Sequence, residues 1–315
     1  MNNNKLNIAL IKFSALGDLA MIEPYIKLLT QKYNLTLVTS KIGYEYYKDI
    51  DNLNFILINN KNSILENIVT FFKLYSFDKI IDLQGNDRSK ILTFTKKNNL
   101  YSNYVKSYFI KNLKCNLIKE KSNFHLYVYS ILNEFISDEE LVKNNSFKER
   151  TPNYIVLNCG SSEKWKSKRL PIEKWSQISE ILYNKYKLPF YLTGDSSEVK
   201  YLKELSKYIK GEYQIFAGKT SLIELKQILK NAYLTISTDS AAMHISSVYG
   251  TPTIGLFGAT NWLRSAPFGS WSTVVYDKKY FKDNIPLEKN SREVDNKFYE
   301  NINIEEALEK IDKYL

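Results

Sequence analysis

Short runs of apolar residues alternate along the chain with stretches in which apolar positions recur every three or four residues. Ile8–Lys12 reads as a buried strand, and Leu19–Tyr33 as a helix bent or begun at Pro24. Leu35–Thr39 and Phe55–Ile58 read as strands, Ile64–Tyr75 as a helix and Lys79–Leu83 as a further strand. Residues 100–121 are basic and irregular, and Phe124–Ile136 is helical. The chain then turns polar over Ser137–Asn153, ending in Thr151-Pro152, which reads as a linker. A second series begins at once. It has strands at Tyr154–Asn158, Phe190–Thr193, Tyr213–Phe216, Tyr233–Ser237 and Thr253–Phe257. Helices fall at Ile172–Tyr186, Glu198–Ile209, Leu222–Leu229 and Ala241–Tyr249, and Asn303 caps a last amphipathic helix over Ile304–Leu315.

Strand–helix alternation of this kind predicts parallel βαβ units. At 315 residues the chain is long enough for two domains of about 150 residues each. The reading is α/β, with two Rossmann-like domains facing a central cleft. One spans residues 1–145 and the other 153–300, and a terminal helix covers 303–315. Ligands of such sheets bind at the carboxyl ends of the strands.

Composition narrows the chemistry. A chain with 44% hydrophobic and 25% charged residues is globular, which excludes a rod, a collagen or a disordered tail. The two cysteines, Cys115 and Cys159, are far apart, and the two histidines are His125 and His244. That excludes a disulfide framework, a zinc ribbon and a multi-histidine metal centre. No apolar run approaches the roughly 18 residues of a membrane span, and Met1–Asn7 lacks the apolar core of a signal peptide. A cytoplasmic protein is expected. The net charge of +10, from 44 basic against 34 acidic residues, suits anionic partners, although a Lys- and Asn-rich composition alone gives the same sign.

Three loops follow strands and carry chemistry. Ser14-Ala-Leu-Gly-Asp18 follows the first strand, with Gly17 allowing close backbone approach and Asp18 at a helix start, where it fits either a helix cap or a catalytic carboxylate. Gly160-Ser-Ser162, followed by Lys164, Lys166, Lys168 and Arg169, combines turn N–H groups with cations and suits a pyrophosphate or a solvated basic loop. Leu234–Thr238 leads through Asp239, read as an N-cap, into a short helix that Gly250 ends. Ser240, Ala241 and Ala242 leave that helix start open for a phosphate, with His244 one turn in. Gly218-Lys-Thr220 is no P-loop, because position 213 is Tyr where a glycine is needed. There is also no G-x-G-x-x-G fingerprint after the first strand.

Together these pieces resemble the ADP-heptose:lipopolysaccharide heptosyltransferase family, glycosyltransferase family nine. The matching segments are Ile11-Lys-Phe-Ser-Ala-Leu-Gly-Asp18, Ile81-Asp-Leu-Gln-Gly85 with Arg88-Ser89, and Gly160-Ser-Ser with Ser167-Lys-Arg-Leu-Pro171 and Trp175. Leu192-Thr-Gly194 and Ala217-Gly-Lys-Thr-Ser-Leu222 follow, then Thr238-Asp-Ser-Ala-Ala-Met-His244 and Gly250-Thr-Pro-Thr-Ile-Gly-Leu-Phe-Gly258. The resemblance implies a GT-B fold, with the terminal helix packing back on the first domain. It implies an inverting, metal-independent transfer of a heptose or related sugar from an ADP-sugar, with no cofactor. The first domain then holds a lipopolysaccharide or lipooligosaccharide core acceptor and the second the donor. Asp18 corresponds to the general base. Ser161, Ser162, Lys168, Glu198, Thr220, Asp239, Ser240, Ala241 and His244 form the donor set, and Lys12, Gln84 and Arg88 the acceptor set. Ala241 stands where the family usually has Gly, Leu170 where a Trp is common, and Met21 where a His is frequent.

The chemistry agrees. A hydroxyl nucleophile needs a carboxylate to take its proton, and a leaving diphosphate needs fixed donors. Lys106, Lys111, Lys114, Lys119 and Lys121, interleaved with Tyr104, Tyr108 and Phe109, would meet phosphorylated sugar or the anionic inner face of the membrane, making the enzyme peripheral there. The same stretch would suit a non-catalytic nucleotide- or nucleic-acid-binding module, but that reading leaves the donor-set residues unexplained; no nucleic acid partner is expected.

Overall fold

A computed structural model of the chain describes residues 5–58, 63–94, 100–102, 123–161, 163–282, 285–286 and 296–315. The chain divides into two compact units, one built from elements up to Asn144 and the other running from Asn145 to Leu315. The basic stretch from Lys106 to Lys121 and the Ser162 position lie outside the described residues.

The first unit holds five parallel strands: β1 (Asn7–Ile11), β2 (Asn34–Thr39), β3 (Leu53–Leu57), β4 (Lys79–Asp82) and β5 (Leu100–Tyr101). Their order is β3-β2-β1-β4-β5, so β1 sits at the centre with β2 and β4 on either side. Ile8 through Ile11 are fully buried, as a central parallel strand covered on both faces requires. The helices are α1 (Leu16–Lys32), α2 (Lys41–Tyr47), α3 (Ile64–Leu74), α4 (Asp87–Thr93), α5 (Asn123–Leu132) and α6 (Asp138–Asn144).

Two features differ from the sequence reading. Pro24 lies inside α1, which starts at Leu16 instead of Leu19. The supposed linker is structured. Ser137 and Glu140 form a reciprocal cap at the start of α6, Leu141 is buried, and Lys32 of α1 reaches Glu140 at 3.1 Å. Beyond α6, the Arg150 guanidinium donates to the carbonyls of Lys230 and, at 2.9 Å, Tyr249. Gly250, at φ +75°, passes so close to the Ser146 carbonyl that any side chain there would collide with it.

The second unit has six parallel strands: β6 (Ile155–Asn158), β7 (Phe190–Leu192), β8 (Tyr213–Ile215), β9 (Leu234–Thr238), β10 (Thr253–Phe257) and β11 (Ser272–Tyr276). The order is β11-β10-β9-β6-β7-β8. Its helices are α7 (Ile172–Tyr186), α8 (Val199–Ser206), α9 (Leu222–Asn231), α10 (Ala241–Val248), α11 (Trp262–Ser265) and α12 (Ile304–Ile311).

The terminal helix corrects the expectation that it would return to the first domain. The apolar face of α12 (Ile304, Ala307, Leu308, Ile311) lies in the same core as Ile155, Trp175, Leu234 and Val275, and the helix runs along β11. Lys185 meets Asp312 at 3.2 Å, and Tyr314 donates to Ser270 at 2.8 Å. An amphipathic helix buries its stripe against the nearest complementary surface, and here the second unit's own sheet supplies it.

Candidate active site

In both sheets the strand order reverses beside the first strand of the unit: between β1 and β4 in the first, and between β6 and β9 in the second. Loops that diverge at such a reversal leave a crevice beyond the carboxyl ends of the strands. The candidate residues fall largely on these two loop pairs.

At the first reversal the chain leaves β1 through Lys12 and Phe13 and enters α1 at Leu16. Ala15 is the N-cap of α1 and supplies no side-chain hydrogen bond, so Asp18 stands in the first turn and does not cap the helix. Its Oδ2 instead accepts from Lys12 Nζ at 2.8 Å. Lys12 is buried, with its ammonium 5.3 Å from the centre of the Phe124 ring. The loop after β4 is tied to the same place. Asp82 is fully buried and accepts from the Gln84 and Gly85 amides at 2.8 and 3.0 Å, closing a turn. Gln84 Oε1 then accepts from the Phe13 amide at 2.9 Å, linking the two loops. Arg88 in the first turn of α4 lies 5.5 Å over the Phe13 ring and donates from Nε to Asn67 at 2.9 Å, with Glu66 at 3.5 Å. Burial draws the Arg88 guanidinium below its ordinary value, against the pull of Glu66. Lys12, Asp18, Gln84 and Arg88 thus form one cluster around Phe13. Glu23, another carboxylate of α1, is fully buried and engaged by Tyr46 at 2.5 Å and Lys27 at 2.6 Å.

At the second reversal Lys168 Nζ donates to the Asp239 carbonyl at 3.0 Å and pairs with its Oδ2 at 2.9 Å. Asp239 was expected to cap α10. The N-cap is Ser240, and its hydroxyl does not cap either, because it meets Asn158 Nδ2 at 3.0 Å and Ser237 at 3.1 Å. Lys168 has drawn the aspartate away from the helix start, so the first N–H groups of α10, Ala241 among them, have no side-chain cap. Burial pushes the Asp239 carboxyl up, but the Lys168 charge and hydrogen bond, aided by His244, outweigh it and hold the group below its ordinary value. His244, on the first turn of α10, is buried.

The loop after β6 is braced from several sides. Thr238 Oγ1 donates to the Gly160 carbonyl at 2.7 Å, and Asn158 Oδ1 accepts from Thr193 at 3.0 Å. The Ser161 hydroxyl donates to the Trp165 carbonyl at 2.7 Å, so its proton is committed within the loop as the chain folds over at 163–168. Arg169 grips the Ser161 carbonyl at 2.6 Å while lying 4.8 Å over the Tyr201 ring. Glu198 is buried, caps its own turn through the Asp195 amide at 2.8 Å, and fills the space beside Gly160 where a Cβ would stand. Burial, together with Glu198, raises the Cys159 thiol well above its usual range. Thr220 stands apart, just ahead of α9 on the loop after the edge strand β8.

The sequence marks Asn158 only as the end of a strand and Arg169 only as one of four loop cations; their bracing contacts, to residues 82 and 8 positions away, are visible only in the fold, where Arg169 is committed to the Ser161 carbonyl. Among the described residues no group of three His, Cys, Asp or Glu side chains stands together as a metal site, and no helix is long and apolar enough to cross a membrane.

Comparison with known proteins adds to this geometry. The chain is 24% identical over 303 residues to lipopolysaccharide heptosyltransferase 1 of Campylobacter coli, covering 83% of this chain and 86% of that one. It is 27% identical over 124 residues to the lipopolysaccharide core heptosyltransferase OpsX of Haemophilus influenzae; that match spans 39% of this chain and only 35% of the relative. Among solved structures, the E. coli ADP-heptose lps heptosyltransferase II superposes with a TM-score of 0.65 at 13% identity, over 98% of each chain. That likeness shows the fold, GT-B with two parallel-sheet α/β domains. The profile of glycosyltransferase family 9 (heptosyltransferase) matches residues 72–285, two-thirds of the chain and parts of both sheets, and the protein therefore belongs to that family of glycosyltransferases.

Proposed function

We propose that the protein transfers a heptose from ADP-heptose to the core sugar of a lipopolysaccharide or lipooligosaccharide acceptor, with inversion at the anomeric carbon and without a resident metal. The observation that carries the reading is the pair of loop clusters at the two sheet reversals: a solvent-accessible carboxylate with fixed cations in one, an ammonium beside an uncapped helix start in the other. The first suits an anionic acceptor and the second a diphosphate.

In this reading Asp18 is the general base. The acceptor hydroxyl oxygen attacks the anomeric carbon, its proton passes to the Asp18 carboxylate, and the bond from that carbon to the diphosphate oxygen breaks. The electron pair leaves on ADP. Lys12 fixes the carboxylate through Oδ2 and leaves Oδ1 to take the proton. Gln84 and Arg88 face phosphate or hydroxyl groups of the acceptor. Lys168 has three N–H donors, two of them directed to Asp239, and the third meets the departing diphosphate. The α10 start at Ser240 and Ala241 adds its N–H groups and dipole. His244 lies one turn into that helix, Glu198 and Thr220 are assigned to the nucleotide, and Ser161 braces the turn through the Trp165 carbonyl. The enzyme works at the cytoplasmic face of an anionic membrane.

Product analysis tests this. ADP-heptose and truncated core acceptors should give a product one heptose heavier, with anomeric configuration opposite to the donor's, undiminished by a chelator. Transfer from a different nucleotide sugar, or a retained configuration, would overturn the donor or the mechanism.

A further inference from the structure

Among the described residues of the first unit, two neighbouring helices expose large apolar side chains. Ser63 caps α3 by accepting from the Glu66 amide at 3.2 Å, and the helix then buries only a narrow side, Thr70 and Leu74, with Phe71 against the core. Ile64, Leu65, Ile68, Val69 and Phe72, continued by Tyr75, fall on the opposite stripe and are all exposed. On α4, which packs beside α3, Ile91 and the C-cap Phe94 are exposed in the same way. Ile64, Leu65, Phe72, Ile91 and Phe94 each have between 66% and 75% of their surface open. Contiguous apolar surface of this kind is rare unless it meets a partner. Arg88 joins the two helices by bonding Asn67 and Glu66, and the same residue belongs to the cluster around Phe13, so the two helices adjoin the candidate acceptor loops.

We infer that this face of α3 and α4 enters the interface of an anionic phospholipid membrane; the inference rests on the acceptor reading above, which needs a glycolipid brought to the first unit. The two helices carry Lys73, Arg88 and Lys90 against Glu66 and Asp87, with Lys90 3.7 Å from Asp87, and this positive balance meets anionic headgroups while the aliphatic and phenyl side chains reach the acyl boundary. A second copy of the chain is the poorer occupant. Each copy carries a net charge of +10, which opposes self-association.

The test is sedimentation of the full chain with vesicles of phosphatidylethanolamine and phosphatidylglycerol, without acceptor. The parent should partition onto them and bind far less to phosphatidylcholine vesicles. The double variant Ile68→Ser/Phe72→Ser, and separately Ile91→Ser/Phe94→Ser, should each weaken partitioning by at least about tenfold, since each removes two large apolar side chains from the interface. Both should keep the parental melting temperature and the parental rate on a deacylated, water-soluble core acceptor. Variants that bind vesicles as the parent does, a parent that does not bind, or a parental dimer that the substitutions split into monomers would each overturn the inference. Loss of transfer in every protein, parent included, would instead sink the acceptor reading, while the vesicle result still decides the surface.

Discussion

At the first sheet reversal Lys12 is the buried partner, with 4% of its side chain exposed against 32% for Asp18; at the second, Asp239 is the deeper at 10% and Lys168 shows 22%. The pairing is the same, lysine to aspartate at 2.8–2.9 Å, but the two pairs turn opposite members to solvent. A buried partner holds its mate in place, and the more accessible mate is the group a reactant can reach. The first loop pair therefore presents a carboxylate, suited to a hydroxyl proton. The second presents an ammonium, suited to a phosphate. In the proposed reaction, which end of an ion pair each fold buries sets the partner it serves.

The largest effect should come from the exposed acid. Asp18→Asn keeps the shape and removes the proton acceptor, so kcat should fall by about 10²–10⁴-fold. Ala15 and not Asp18 caps α1, so the stability cost should come from the Lys12 pair alone and stay at about 1 kcal/mol. Full activity in this variant would dissolve the comparison at its first half. The exposed cation comes next. Lys168→Ala should raise the donor KM by roughly ten- to 150-fold, the equivalent of about 1.5–3 kcal/mol for a charge-assisted hydrogen bond. An unchanged KM would leave the second pair a structural one.

The buried partners should report on stability and pH. The native Asp239 value lies below the ordinary 3.8, so its contribution is complete above that value and disappears as pH falls through the lower native one. Asp239→Asn should cost about 1 kcal/mol at neutral pH, and chemical denaturation should show parent and variant converging below about pH 4. A gap that persists in acid would mean the pair is not the source. The smallest catalytic effect belongs to Glu23→Gln. Glu23 is walled in by Tyr46 and Lys27, so the substitution should lower stability and leave kcat near parental; a large rate loss would make it the rival base.

Much of this was legible in the chain. The strand at Ile8–Ile11 reads as an unbroken apolar run because a central parallel strand is buried on both faces, whereas Leu234–Thr238, buried just as fully, alternates Leu and Ile with Thr and Ser. The loops after them drew attention through Gly17, Asp18 and Asp239. What stayed hidden was pairing. Lys168 and Asp239 are 71 residues apart, and without that contact the sequence Asp239-Ser240-Ala241 reads as an ordinary aspartate cap. Helix α6 shows no apolar stripe in the sequence because Leu141 is its one buried apolar residue, although Ser137 and Glu140 carry the spacing of a capping box. The stripe on α12 announced burial but not a destination, since amphipathicity specifies a face and not the surface it meets.

The division of labour is tested most directly by calorimetric titration of ADP into the parent, Asp18→Asn and Lys168→Ala proteins under one set of conditions. The account predicts parental affinity for Asp18→Asn, whose carboxylate serves the acceptor, and affinity weakened by about tenfold or more for Lys168→Ala. Weakening by both substitutions alike, or by neither, would contradict it.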